Sequence, residues 1–274
     1  QERRGGTGHA TQLALAGTDI SGTILILAGD TPLLTGESLQ QLLNLHHAGG
    51  FTASVLTAEH PEPTGYGRIV RSDDGSLLRI VEERDADDFE KGIYEVNSGV
   101  YAFDAKALSG AIGKLSTDNS QGELYLTDVI EILRNEGGSI AAALIEDFVE
   151  ILGVNDRVQL AESAALLRDR INEGFMRAGV TIVDPTTTWI DATAEIASDV
   201  TIFPGTAILG SSKIATGAII GPRTTLESCT VLAGAKIVES NCFEATIGKD
   251  AQVASKQFDS TIFAPANTVE SNCF

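Results

Sequence analysis

The stretch that decides the fold runs from Ile190 to Val238 and reads IDATAEIASDVTIFPGTAILGSSKIATGAIIGPRTTLESCTVLAGAKIV. Within it Ile190, Ile196, Ile202, Ile208, Ile214, Ile220, Leu226, Leu232 and Val238 recur at a strict spacing of six. A helix repeats its apolar face about every 3.6 residues and a half-buried strand about every 2, so neither demands a period of six. Between the aliphatics lie small or turn-forming residues, among them Pro204-Gly-Thr206, Leu209-Gly-Ser211 and Gly221-Pro222. Each hexad therefore reads as one short strand and one corner, three hexads closing a triangular coil whose aliphatics stack on those of the next coil. The corners need small residues because the backbone turns sharply and adjacent coils crowd it. This predicts a left-handed parallel β-helix of hexapeptide repeats over 181–274. A sandwich of antiparallel strands would instead alternate with period two and turn through Asn-Gly pairs. The register is expected to slip after Val238, where Glu244 breaks the spacing, Ile247 and Val253 resume it, and Lys256-Gln-Phe-Asp259 has no slot. Residues 261–274 echo 230–243 and share the final hexapeptide Val-Glu-Ser-Asn-Cys-Phe.

Upstream, residues 1–155 alternate strand and helix signals, as in an α/β sheet with helices on its faces. Thr23-Ile-Leu-Ile-Leu-Ala28 is a continuous apolar run, the pattern of a central parallel strand buried on both faces. It ends at Gly29-Asp30, and an acidic residue past the carboxyl end of such a strand lies where open α/β sheets bind ligands; a turn-capping role is the alternative. Helices are predicted at 36–47 and 127–134, and strands at 51–57, 68–71 and 77–82, the last two joined by an Asp73-Asp-Gly75 hairpin turn. Asn155 and Asp156 open a helix over 156–180, predicted as the domain linker, with Leu160, Ala164, Leu167, Ile171, Phe175 and Ala178 as its packed stripe.

Composition bounds the function. With 274 residues, 43% hydrophobic and 21% charged, the chain has room for two cores and is not disordered. A net charge of -19 repels phosphate backbones and anionic lipid, which argues against nucleic-acid and membrane partners but leaves a small phosphorylated ligand open. There is no run of 18 apolar residues and no signal-peptide pattern. The three cysteines, Cys229, Cys242 and Cys273, have no CxxC spacing and read as reduced, buried thiols in a cytoplasmic protein. The chain starts at Gln1, without a Met, inside what reads as a functional loop, and is expected to be a fragment.

Eight strings occur in order: Gly5-Gly-Thr-Gly-His-Ala10 preceded by Gln1, Ala28-Gly-Asp-Thr-Pro-Leu33, Pro63-Thr-Gly-Tyr-Gly-Arg-Ile69, Ile80-Val-Glu82, Glu95-Val-Asn-Ser-Gly99, Ser120-Gln-Gly-Glu-Leu-Tyr-Leu-Thr-Asp128, Gly153-Val-Asn-Asp-Arg157 and Thr181-Ile-Val-Asp-Pro185. With the hexads, this arrangement resembles the family of bacterial bifunctional N-acetylglucosamine-1-phosphate uridylyltransferases/glucosamine-1-phosphate acetyltransferases, over residues 1 to about 238. The resemblance implies a Rossmann-like α/β nucleotidyltransferase domain, incomplete at its N-terminus, ahead of the β-helix. It implies that Gln1, Gly6 and Thr7 hold uracil, an amide and close backbone suiting a pyrimidine edge. Asp30 and Asn155 correspond to the Mg²⁺-binding pair, hard oxygen donors of the kind Mg²⁺ takes beside phosphates and water. Ala28 and Gly29 join Asp30 in substrate binding, and Gly67, Glu82 and Asn97 correspond to groups that hydrogen-bond the N-acetylglucosamine moiety.

The implied reaction joins UTP and N-acetylglucosamine 1-phosphate into UDP-N-acetylglucosamine and pyrophosphate, for cell-envelope precursor synthesis. No protein nucleophile is required, because positioning and charge neutralisation carry the step. The family's phosphate cradle lies in a Gly-rich N-terminal segment not matched here, so this polypeptide is expected to turn over slowly. Its acetyltransferase uses a His general base in the solenoid, whereas all four histidines here (His9, His46, His47, His60) lie upstream. Either the chain stops before that site or the site is lost. The family assembles as a homotrimer through the β-helix, and the same is expected here. Another hexose-1-phosphate nucleotidyltransferase and a non-catalytic sugar-nucleotide-binding or assembly subunit are the alternative readings. His46 and His47 read as solvated residues complementing a helix end. Trp189 reads as a cover over the first coil, and Glu83, Asp85, Asp87 and Asp88 as a solvated acidic loop.

Overall fold

The computed structural model describes residues 4–254. The chain forms two compact units, Gln1–Asp156 and Arg157–Phe274.

The first unit is a mixed α/β sheet. Strands β1 (Thr23–Ile26), β2 (Ala53–Glu59), β3 (Arg68–Arg71), β4 (Leu77–Val81), β5 (Glu95–Asp104) and β6 (Ile140–Ile145) alternate with helices α1 (Thr7–Leu15), α2 (Gly36–Gly49), α3 (Ala105–Ile112) and α4 (Asp128–Asn135). The sheet order is β4-β3-β5-β2-β6, with β1 also on β5. Only β2 and β6 run parallel. One core, built on Val55, Tyr101, Phe103, Leu108 and Ile130, lies on one side; a second, built on Leu42, Leu56, Val96 and Ala102, lies on the other.

Thr23–Ile26 departs from expectation. It pairs antiparallel with β5 and all four residues are only half-buried, while Leu27 is 44% exposed. The strand buried on both faces is β2, six of whose seven residues are buried. An apolar run reports average burial and not position in the sheet, so residues 23–28 carry a central-strand pattern at a half-buried position. The long strand β5 takes β1 beside its carboxyl half and β3 beside its amino half, and both flank the same edge. Gly99, at φ 77°, lies where the pairing of β5 with β2 shifts register, between the Val55–Tyr101 and Thr57–Asn97 pairs. The wedge left between β1 and β3 is where several of the sequence-predicted site residues gather.

The second unit is a parallel β-solenoid of about four turns. Its three sheets are made of two- or three-residue strands, and every pairing is parallel. Aliphatics stack in register, Ile190 on Ile208 on Leu226 and Ile202 on Ile220 on Ile237. Two residues before each aliphatic a second inward position is filled by small side chains: Thr188, Ala194, Thr206, Ser212, Ala218 and Thr224 are all buried. That is strand alternation compressed into one hexad. The hydroxyls of Thr206 and Ser212 donate to the Phe203 and Leu209 carbonyls across their own corners. This is why polar residues are tolerated inside the coil.

The six-residue row ends earlier than expected. Ile208 pairs with Leu226, eighteen residues on, but Ile214 pairs with Val231 and Leu226 with Cys242, at seventeen and sixteen. Leu232 is 40% exposed, whereas Val231 and Ile237 fill the core. Corners at Ser228, Glu239 and Glu244 each lose a residue and close through positive φ (53°, 47° and 47°). Ile247 and Val253 do point inward, in register with Val231 and Ile237. The tail 255–274, including its echo of 230–243, lies outside the described residues.

Helix α5 (Arg157–Arg177) belongs to the solenoid unit. Its expected stripe is half right. Ile171 and Phe175 pack on the solenoid core, but Leu160 and Leu167 are exposed at 55% and 37%. The fully buried residue is Asn172, whose Nδ2 donates to the Pro185 and Thr188 carbonyls at 2.9 Å each. Covering the first coil is therefore the work of α5. Trp189 points outward, 44% exposed, because its neighbour Ile190 takes the inward position; the Arg168 guanidinium lies 5.1 Å from its ring centre. Cys229 is a free, buried thiol. Cys242 is buried in the same core, and Cys273 lies outside the described residues. No helix among the described residues is long and apolar enough to cross a membrane.

Candidate functional site

A cavity of about 230 Å³ opens in the wedge between β1 and β3, lined by Thr7, Ala10, Thr11, Ala28, Glu82, Asn97, Gly99, Tyr101 and Thr127, among others. Four of the sequence-predicted residues, Thr7, Ala28, Glu82 and Asn97, share this wall. Residues far apart in sequence are brought there by strand ends, as is usual for sites in α/β sheets.

Each wall segment has its own local cause. Gly6 opens α1 at φ 91°, and a Cβ there would meet the Leu124 carbonyl at 2.5 Å. Only glycine permits that approach, which lets Gly8 N–H reach Leu124 O at 2.8 Å and Leu124 N–H reach Gly5 O at 2.9 Å. The Thr7 hydroxyl accepts from Leu126 N–H at 3.0 Å, so it pins the two segments together. Glu82 follows β4; its Oε1 accepts from the Thr127 hydroxyl at 3.0 Å. Gly67 precedes β3, and a Cβ there would meet Ile80 Cγ2 at 3.2 Å and lie in ordinary contact, 3.6 Å, with Asn97 Cβ and Glu82 Oε2. Its φ is not in the left-handed region, so the constraint on a side chain there is the close Ile80 methyl.

Asp30 and Asn155 form a second grouping. The turn after β1 is closed by the Thr31 hydroxyl on Ala28 O, and Val154 N–H donates to Asp30 O at 2.8 Å. Gly153 comes within 3.8 Å of Asp30 Oδ2, counted from the Cβ it lacks. The Tyr66 hydroxyl, its pKa raised by burial, is bonded by the Gly153 backbone and senses the Asp30 charge. So Asp30, Tyr66 and the 153–155 segment stand together, with Asp30 and Asn155 themselves exposed. Gly29 lies in the same turn. Gln1 lies outside the described residues.

Electrostatically the wall is acidic. Burial raises the Glu82 pKa, opposed by the Thr127 hydroxyl and reinforced by Asp85. Asp128, not singled out from sequence, is raised from 3.8 to about 6 by burial and by the charges of Glu82, Glu131 and Asp85. A helix amino end favours a carboxylate by about 0.3–1 kcal/mol, so burial and like charges outweigh the dipole here. The sign follows: this raised pKa favours the fold at acid pH, and the advantage is lost as pH rises through about 6. Asp128→Asn should therefore raise stability at pH 7.5 relative to pH 4 by about 1 kcal/mol, less than the whole shift because the carboxyl is half-exposed. Urea melts at the two pH values test it, and equal gains at both would refute it.

One reading outside the site needs correcting. His46 is buried and not solvated: α2 packs on β2, and His46 Nδ1 lies 3.0 Å from Ser54 Oγ, with burial lowering its pKa. His47 is exposed, its Nε2 2.9 Å from Thr23 Oγ1. The acidic loop is exposed at Asp85, Asp87 and Asp88, as expected, and its side chains are also bonded into the fold. Glu83 takes the buried Arg68 at 2.7 Å, Asp85 accepts from Ser120 N–H at 2.8 Å, and Asp87 caps Glu90 N–H at 2.8 Å.

The nucleotidyl transferase family model matches residues 1–191. The chain is 48% identical over 256 residues to the Bifunctional protein GlmU of Streptomyces coelicolor, covering 92% of this chain and 53% of that protein. It is 50% identical over 254 residues to the Bifunctional protein GlmU of Corynebacterium efficiens, covering 92% and 52%. The protein of that name from Mycolicibacterium vanbaalenii is 48% identical over 255 residues, covering 92% and 52%. The chain thus spans about half the length of the curated relatives it matches.

Proposed function

This chain belongs to the nucleotidyl transferase family, and from that premise we propose that residues 1–155 transfer the uridylyl group of UTP to N-acetylglucosamine 1-phosphate, releasing pyrophosphate. The observation that carries the reading is the single cavity whose wall holds Thr7, Ala28, Glu82 and Asn97. A sugar carrying hydroxyls and an N-acetyl group needs both acceptors and donors, and Glu82 with Asn97 offers both. The Gly5–Gly8 segment, drawn against Leu124, brings backbone close to the cavity mouth, as a pyrimidine edge requires.

The reaction is attack by a sugar-phosphate oxygen on the α-phosphorus of UTP, with pyrophosphate leaving. No side chain becomes covalently attached; the protein orients the two ligands and keeps water out of the wedge. One carboxylate and one amide, Asp30 and Asn155, held in neighbouring segments, fit Mg²⁺, which keeps most of its waters and binds phosphate through few protein ligands. When bound, the ion neutralises phosphate charge. In an acidic chain, a cation is what makes a triphosphate tolerable beside Glu82 and Asp128.

Calorimetric titration with UDP-N-acetylglucosamine and with ADP-glucose, each with Mg²⁺, tests the reading. Binding of the former at least about tenfold more tightly is expected. Preference for ADP-glucose would favour another hexose-1-phosphate nucleotidyltransferase, and binding of neither would sink the proposal. We further propose that the solenoid assembles as a homotrimer; a monomer by light scattering would refute it.

A further inference from the structure

Tyr101 sits at the centre of the α/β unit with its ring stacked on Phe103, centroids 5.6 Å apart, and it also contributes to the cavity wall. A phenylalanine would pack as well, so the hydroxyl needs a reason to be there. That hydroxyl accepts a hydrogen bond from Asn97 Nδ2 at 2.7 Å. The other end of the same amide, Asn97 Oδ1, accepts from Gly99 N–H at 3.1 Å. The Asn97 backbone N–H is also spent, on Gly67 O at 2.9 Å. An asparagine amide has two donors and two acceptor sites, so one N–H and one lone pair remain. Burial, followed by the charge of Glu82, pushes the phenol pKa well up and keeps it protonated.

We propose that Tyr101 is a positioning residue whose hydroxyl fixes the Asn97 amide with its remaining N–H and lone pair turned to the cavity, so selecting the N-acetylhexosamine half of the ligand. This rests on the reading of Asn97 as sugar-facing. Gly99 alone would hold only the Oδ1 end, leaving the amide free to swing about that bond. With Tyr101 both ends are pinned, and the ordering is complete before the sugar arrives, which lowers the entropy cost of binding.

The test is Tyr101→Phe, which keeps the ring and deletes the hydroxyl. Calorimetry on the whole chain would measure UDP-N-acetylglucosamine and UTP separately, beside a thermal melt. The expected result is about tenfold weaker UDP-N-acetylglucosamine binding and UTP binding within about twofold of wild type, the worth of one hydrogen bond confined to one ligand half. In an Asn97→Ala background Tyr101→Phe should add no further loss, because the two residues act as a unit. Equal weakening of both ligands would mark a structural lesion and overturn the inference, as would a full further loss in the Asn97→Ala background. If wild type binds UDP-N-acetylglucosamine and Tyr101→Phe matches it, the inference alone fails. If wild type binds neither ligand, the sugar-nucleotide reading fails and takes this one with it.

Discussion

Ile208→Asp is expected to leave the solenoid unit unfolded at physiological temperature. Ile208 is fully buried, stacked in register between Ile190 below and Leu226 above. Truncating such a side chain to Ala costs about 2–5 kcal/mol, and a domain has only roughly 5–15 kcal/mol to lose. A carboxylate at that position adds the cost of a charge with no cation in reach, since its neighbours in the core are aliphatic or small. In a stacked repeat each coil depends on its neighbours, so a break in the middle leaves too few intact coils on either side. The readout is local: Trp189 is the only tryptophan and lies in the coil beside Ile208, pairing with Ala207. Its emission should lose its cooperative melt in Ile208→Asp and shift down by about 10 °C or more in Ile208→Ala. Lys213→Ala, at an exposed strand position, should stay within about 0.5 kcal/mol of wild type. A normal Trp189 melt in Ile208→Asp would show that this row does not hold the unit together.

The same row shows what sequence can and cannot reveal. From Ile190 to Leu226 every hexad obeys one period, and a one-dimensional repeat writes its fold directly into spacing. Beyond Leu226 the spacing of six continues through Leu232 and Val238, but the core has moved to Val231 and Ile237. Adjacent aliphatics make both registers available, and the choice is made by the Ser228 corner, whose positive φ no composition announces. Residues 23–28 fail for a similar reason: hydrophobicity is legible, sheet position is not. Trp189 and the α5 stripe fail because which side of an amphipathic segment finds a partner is a tertiary fact.

The candidate site divides along the same line. Asp30, Gly67, Glu82 and Asn97 stand in short strings whose order could be read. That Glu82 and Asn97 share a wall with Thr7 depends on tertiary pairing, including the register shift of β5 beside Gly99, which no local signal marks as special among 28 glycines. Tyr101, Thr127 and Asp128 carried no individual signal at all. Tyr101 looks like a strand aromatic, and the acidity of Asp128 arises only when Glu82, Asp85 and Glu131 are folded around it. Polar networks are legible in sequence as residues but not as bonds.

Glu82→Gln should separate function from stability, because the two effects have opposite signs. Burial and the nearby Asp85 disfavour its charged form, so an ionised Glu82 is a cost to the folded protein. Gln keeps an acceptor oxygen for the Thr127 hydroxyl and removes the charge. The thermal midpoint is therefore expected to hold or rise. Affinity for UDP-N-acetylglucosamine should fall by about 10- to 100-fold, since a hydrogen bond to a charged group contributes roughly 1.5–3 kcal/mol. The pH dependence gives a second signature. Sugar binding to wild type should strengthen as pH rises through the elevated Glu82 pKa and the anion forms, and the Gln variant should lose that component. Gly67→Ala brings a methyl to 3.2 Å from Ile80 Cγ2, displacing the strand that leads to Glu82 without backbone strain, and should cost up to about tenfold in the same titration. Stability and affinity falling together in Glu82→Gln would mean the carboxylate is a structural acceptor for Thr127. A gain in stability with no loss of affinity would remove Glu82 from the sugar site altogether.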